Sequence, residues 1–287
     1  MIESVLAFSV VPEGVGDPVR FFVLAALAVM LVGAAKAGFA GGVGMLSTPL
    51  MIYACHGSAN AAALAVGIML PLLIACDYVT MFLWWRRWSY RPVLLLLPGM
   101  VLGVAAGWAA MWAFQQYAGG TTGHESKTTN TILTLAIGLI AIGFVVLRVL
   151  RAVKGDLKPF KPNLAHGTLA GSVGGLTSTL AHAAGPIIAM YMIPQRLPKD
   201  RFVATTVLYY WIGNQVKLLP YWKLNLLKTP ALMADVALLP AVVIGALLGV
   251  ILHNRVNEKV FALVVYVLLA AAGAHLTIVS TISLLGS

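Results

Sequence analysis

Charge is what this chain has least of. Lys, Arg, Asp and Glu make up only 10% of its 287 residues, 60% are hydrophobic, and mean hydropathy is +0.92. Soluble domains carry roughly a quarter charged residues. Residues 37–76, 92–123, 128–147 and 260–287 hold no charged side chain at all. About 20 apolar residues span a bilayer core, so several helices must cross a membrane, and no sizeable soluble domain is left over. Cysteine is nearly missing too. Cys55 and Cys76 lie in apolar runs without metal-ligand spacing, which excludes a disulfide framework and leaves two small packing residues. No HExxH, GxSxG or paired-carboxylate motif occurs, so nothing marks a hydrolase, and no metal or cofactor is expected. The residues before Pro18 lack a basic stretch and include Glu3, Glu13 and Asp17, so no cleavable signal peptide is expected.

What charge there is carries a sign, +10 at neutral pH. The basic residues cluster in short loops between apolar runs, which is the positive-inside pattern of a membrane protein rather than a nucleic-acid patch. The expected partners are a lipid bilayer and a small anion, with no nucleic acid and with room for a homodimer.

The chain also repeats itself. Gly38 to Pro49 returns 137 positions later as Gly175 to Pro186, and the same offset pairs Asp77 with Asn214, Trp85 with Trp222 and Arg86 with Lys223. Further on the offset is 142, relating Leu96, Leu97, Pro98, Gly103 and Gly107 to Leu238, Leu239, Pro240, Gly245 and Gly249. Two apolar halves with matching Gly-rich interruptions are the pattern of a secondary transporter with its site at the breaks.

Four segments follow: an extracytoplasmic stretch 1–18, a transmembrane repeat 19–150, a basic cytoplasmic linker 151–162 and a second repeat 163–287. The first repeat holds an apolar run 21–35, an interrupted stretch 36–56 and spans near 60–85, 92–115 and 129–150. The second holds an interrupted stretch 163–195 and spans near 202–222, 230–252 and 258–283. Gly119 to Asn130 reads as an exposed turn. From Arg20 to Lys36 a helix rises only about 24 Å, short of a core of roughly 30 Å, which sinks Lys36 and the glycines after it below the surface. Thr48-Pro49 and Gly185-Pro186 each look like an N-cap followed by a first-turn proline. The fold expected is therefore all-α and membrane-integral. Each repeat begins with a helical hairpin broken inside the membrane, followed by about three transmembrane helices.

Charge also orients the repeats. With Arg86, Arg87 and Arg91 in the cytoplasm and the second repeat inverted, thirteen basic residues lie inside and four outside, with Lys36 and Lys217 counted as intramembrane. A parallel repeat would give ten against seven. Inverted topology with both termini outside fits better.

The run from Lys36 through Gly38, Gly41, Gly42 and Gly44 to Pro49 resembles the signature of the TauE/SafE family of anion exporters. So do Gly174-Gly175, Gly185-Pro186, Asn214 with Lys217 and Tyr221, and the glycine ladder from Leu97 to Gly107. The resemblance covers roughly residues 20–280 and implies outward transport of sulfite or small organosulfonates across the cytoplasmic (inner) membrane. One departure stands out. Where the family carries a second glycine-rich stretch, this chain reads Thr177 to Ala184 (TSTLAHAA), which puts hydroxyls and His182 at the expected site.

The residues able to carry the chemistry are few. Lys36, beside a break, needs a partner, because an intramembrane lysine costs on the order of 2.5–3.5 kcal/mol; an anion or Asp77 would serve, or the side chain snorkels to the interface. Lys217 and Asn214, three apart on one helical face, offer a cation and an amide; otherwise Lys217 belongs to an interfacial belt with Tyr221 and Trp222. Asp77 is either a structural counter-ion or, with His182, a proton-coupling group. Asp235 reads as an acid favoured by its helix dipole. Thr48, Ser178, Thr179 and His182 supply polar side chains at the breaks, although membrane Ser and Thr often bond their own helix. Gly41, Gly42 and Gly185 let backbone N–H groups approach a ligand, and half-helices opened by Pro49 and Pro186 point two positive ends at it. The function expected is secondary active transport, with the anion bound between the two hairpins. A passive anion channel is the rival, and a membrane-embedded enzyme using His182 and Asp77 is a weaker one.

Overall fold

The computed structural model describes residues 11–12, 14–39, 43–58, 60–117, 127–154, 162–227, 229–255 and 258–285. Within them the chain forms ten α-helices and no strand. Helix α1 (Pro18–Ala34) continues as a π-helical turn (Ala35–Phe39), and a 3₁₀ turn (Val43–Leu46) leads into the short α2 (Ser47–Ala54). Then come α3 (Ala61–Leu83), α4 (Tyr90–Tyr117) and α5 (Lys127–Lys154). The second half opens with α6 (Leu164–Ala181), the short α7 (Gly185–Met192) and a 3₁₀ turn (Ile193–Gln195). It closes with α8 (Lys199–Lys223), α9 (Thr229–Arg255) and α10 (Glu258–Leu285).

Among the described residues, six helical segments are long and apolar enough to cross a membrane: Pro18–Gly38, Ala61–Leu83, Tyr90–Gln116, Asn130–Leu150, Leu232–His253 and Tyr266–Leu285. They follow the expected spans closely. Helix α8 is as long, at 25 residues, but carries Asp200, Asn214, Lys217 and both terminal lysines. It is the polar helix, and it is buried over most of its middle, from Val203 to Tyr221. The polar content that weakens its membrane signal is what lines the interior.

The two interrupted stretches are broken helical hairpins. In the first, the Gly16 amide donates to the His56 carbonyl at 3.2 Å, so α2 ends beside the start of α1. Asp17 caps α1 by accepting from the amides of Val19 and Arg20. The expected caps of the short helices differ in detail. Helix α2 starts one residue before Thr48, with Leu46 as its N-cap, because the 3₁₀ turn runs straight into it and satisfies its first amides. The Thr48 hydroxyl instead donates to the Ala181 carbonyl at 2.8 Å, joining the two hairpins. Helix α7 has Ala184 as N-cap and Gly185 as its first residue. The turn expected over Gly119 to Asn130 is shortened by α5, which already begins at Lys127; 118–126 and the linker 155–161 lie outside the described residues.

The halves are interlocked by glycine. Helix α4 of the first half packs along α6 of the second, while α9 of the second packs along α1 of the first. A Cβ at Gly103 would overlap the Ser172 carbonyl and one at Gly171 the Leu96 carbonyl. In the other pair, Gly245 sits on the Met30 backbone and Gly249 on that of Ala34. Such close approach is how membrane helices gain dispersion contacts where lipid removes the hydrophobic drive. Each broken hairpin is thus cradled by a helix of the opposite half.

Helices α3 and α8, which carry the repeat-related Asp77 and Asn214, run antiparallel. Arg87, just past the end of α3, pairs with Asp200 at the start of α8. At the other end Gly67 of α3 lies against the Leu226 carbonyl, just after α8.

The interlock generates a prediction. Gly103→Val should lower the melting temperature of the purified protein, since overpacking costs about 1–3 kcal/mol. Gly143→Val, at a glycine with no atom within 4 Å of an added Cβ, should leave it nearly unchanged. Thermal unfolding followed by tryptophan fluorescence checks both.

Candidate functional site

Where the hairpin breaks meet α3 and α8 lies a cavity. It offers about 50 Å³ to the centres of water-sized spheres, and its lining includes Lys36, Gly44, Met45, Ser178, His182, Ala184, Gly185, Tyr210 and Asn214. One water needs roughly 10–15 Å³ by that measure, so the space matches a few waters or one small oxyanion. Met45 and Gly44 belong to the turn feeding α2, and Ala184 and Gly185 open α7. Both half-helix N-termini therefore face the cavity with their positive ends.

The first polar cluster is an ion pair with a repeat partner. The Lys36 ammonium sits 2.5 Å from Asp77 Oδ1 and donates to the Leu73 carbonyl at 3.3 Å. Asn214 Nδ2 donates to the other Asp77 oxygen at 2.6 Å. Asp77 is fully buried, so both of its oxygens are engaged away from water. Lys36 does not snorkel; its side chain is 9% exposed, and the Tyr210 ring lies 5.6 Å from its nitrogen. A buried carboxylate is tolerated only when paired and hydrogen-bonded, and here the first broken hairpin and α8 supply one partner each.

The second cluster surrounds Lys217, which is 1% exposed and so no part of an interfacial belt. Its ammonium donates to Ser178 Oγ at 3.0 Å, to the Ser178 carbonyl at 3.3 Å and to His182 Nδ1 at 3.1 Å. The His182 tautomer follows from its partners. Nε2 lies 2.9 Å from the Val66 carbonyl, which can only accept, so Nε2 carries the hydrogen and Nδ1 receives the Lys217 proton. His182 takes a left-handed backbone (φ 51°) at the end of α6, an uncommon conformation for a residue with a Cβ. That turn stops the helix and swings the imidazole between Val66 and Lys217. Because the three donors of Lys217 are spent on neutral acceptors, it delivers charge rather than a direct hydrogen bond to the cavity. Ser178 accepts from Lys217 through both its hydroxyl and its carbonyl, and it lines the cavity.

Among the residues singled out from sequence, Lys36, Ser178, His182, Gly185 and Asn214 line the cavity, with Asp77 and Lys217 in direct contact with that lining. Thr48 and Thr179 lie outside it. Thr179 is buried and bonds the Gly175 carbonyl one turn back, as membrane threonines commonly do. Gly41 and Gly42 fall outside the described residues. Tyr221 is no belt residue: it is fully buried, and its hydroxyl donates to the Thr179 carbonyl at 2.7 Å. Asp235, expected from sequence to be an acid favoured by its helix dipole, lies beyond the first turn, where that effect has faded. It is the seventh residue of α9, buried, with neither carboxylate oxygen hydrogen-bonded. Tyr210 was missed, although it stands one turn before Asn214 on the same helical face.

A family model described as "Sulfite exporter TauE/SafE" matches residues 25–276, nearly the whole chain. The chain belongs to that family, and is a multi-pass membrane transporter rather than an enzyme. No curated protein and no solved structure matches it.

The ion pair is open to a double-mutant cycle. Asp77→Asn alone strands the Lys36 charge and should destabilise by about 3–5 kcal/mol. Combining it with Lys36→Met should restore much of that loss, a non-additivity of about 0.5–3 kcal/mol in the unfolding free energy. Additive effects would mean that the two side chains do not act as a pair.

Proposed function

We propose that this TauE/SafE family member exports a small sulfur-containing anion, such as sulfite or a short organosulfonate, by alternating access, with the anion bound between the two broken hairpins. The observation that carries this reading is the placement of Lys217. Among the described residues it has no carboxylate within ion-pair distance, yet it is buried behind the wall of a cavity of oxyanion size. An unpaired buried charge costs several kcal/mol. An anion in the cavity offsets that cost.

The remaining parts fit the same ligand. Two half-helix N-termini offer about half a positive charge each, and the Ser178 hydroxyl and the Asn214 amide flank the space. Lys36 gives positive charge already matched by Asp77, so it positions and Lys217 attracts. Antiparallel α3 and α8 support an inverted pair of repeats, and the interlocked glycine helices give each hairpin a partner to move against. In this reading the arginine-bearing end, with Arg86, Arg87, Arg91 and the 151–162 linker, faces the cytoplasm of an inner membrane. Asp77, with both oxygens engaged, serves as a counter-ion rather than a proton carrier.

Two measurements test this. Lys217→Met keeps length and apolar bulk but removes the charge, and should weaken sulfite or methanesulfonate affinity at least about tenfold, roughly 1.4 kcal/mol, with folding retained. Calorimetry showing unchanged affinity would leave the helix ends alone as the site. Topology is tested by an impermeant thiol reagent: Lys223→Cys should be labelled only from outside, and labelling from the cytoplasm alone would overturn the inverted arrangement.

A further inference from the structure

The charges that surround the cavity can be summed, and the sum limits which anions fit. In their ionised forms Lys36 and Lys217 contribute one positive charge each and Asp77 one negative, with Lys36 and Asp77 paired and Lys217 bonded only to neutral groups. His182 adds none, because its two ring nitrogens are committed to one donated and one accepted hydrogen bond. Tyr210 lines the space as a neutral ring. Other acids lie elsewhere: Asp200 pairs with Arg87 at the arginine-bearing end, and Asp235 sits in α9, which contributes nothing to the cavity lining. The surplus is a single positive charge.

Building on the anion site argued above, we propose that this charge sum selects a singly charged head, a sulfonate or another monoanion, over a dianion of the same size, and that Asp77 is the residue that sets the preference. A monoanion leaves the buried site neutral. A dianion leaves one negative charge uncompensated among apolar walls built from Val32, Leu73 and Met45, where an unmatched charge is costly. The helix N-termini soften the difference, because a fixed positive potential attracts a dianion more than a monoanion, but a helix dipole carries no net charge and leaves the sum unchanged. Asp77 is a positioning residue in this role. It touches Lys36 and Asn214, which line the space, and acts on the ligand through its charge.

The test uses purified full-length protein in nanodiscs, with methanesulfonate and sulfate as the monoanion and dianion probes, and calorimetric affinities. The quantity read is the affinity ratio, and its change between variants cancels the different hydration of the two anions. The unaltered protein should bind methanesulfonate more tightly. Asp77→Asn raises the surplus to two charges and should shift the ratio toward sulfate at least about tenfold. The double variant Lys36→Met/Asp77→Asn restores a surplus of one without leaving a stranded charge. It remains a usable readout if the single variant does not fold, and it should return the ratio to that of the unaltered protein even where both affinities drop. A ratio favouring sulfate in the unaltered protein, a ratio unmoved by Asp77→Asn, or a double variant that loses the preference would overturn the charge-sum rule while leaving the anion site standing. Binding of neither these probes nor sulfite would overturn the site as well.

Discussion

Everything at the centre of this protein depends on the expense of charge in a medium that cannot solvate it. Asp77 is fully buried in a helix that carries no other charged residue. Its two oxygens must find partners inside the protein, and they find them on different elements: Lys36 at the first break and Asn214 on α8. Meeting that demand brings the first hairpin, α3 and α8 together. The cavity is what remains between them.

Lys217 meets the same constraint by another route. Three neutral acceptors surround it, two of them on Ser178 and one on His182. Hydrogen bonds to neutral groups satisfy its donors but leave its charge unmatched. Such an arrangement fits the proposed anion site, where a bound negative charge would offset the cost. The left-handed turn at His182 carries a modest backbone cost, and its return is an imidazole fixed in one tautomer between Val66 and Lys217.

The scaffold around the site obeys a different rule. Lipid offers no hydrophobic reward for helix association, so close packing has to supply the energy. Gly103 and Gly171 in one pair and Gly245 and Gly249 in the other bring backbones to within van der Waals contact. Because each pair joins opposite halves of the chain, neither hairpin is held only by its own repeat. At the arginine-bearing end, the Trp84 indole donates to the Ala37 carbonyl at 3.0 Å, and His253 bonds the Gly38 carbonyl at 2.5 Å. These bonds tie the turn beside Lys36 to α3 and α9. Tyr221, the repeat counterpart of Trp84, ties α8 to Thr179 just before the other break.

The spans, the two breaks and the family were legible in the sequence, because each depends on local composition: apolar runs long enough to cross a membrane, glycine clusters followed by Pro49 and Pro186, and an offset that repeats them. So were most of the polar side chains that line the cavity, all but Tyr210, since a polar side chain in an apolar run is conspicuous wherever it points. What the sequence left open was who meets whom. Lys36 had a choice among Asp77, a ligand and the interface, and Lys217 a choice between a site and an aromatic belt. Composition around each residue is the same in every case. Thr48 and Thr179 look like Ser178 in sequence, yet only Ser178 faces the cavity, because helix rotation and the close approach of α4 to α6 decide which hydroxyl turns inward. Asp235 reads in sequence as an acid favoured by its helix dipole, and only the packing around α9 shows it buried with neither oxygen hydrogen-bonded. Pairings across 41, 137 and 35 residues are set by packing between elements, and no local pattern encodes them.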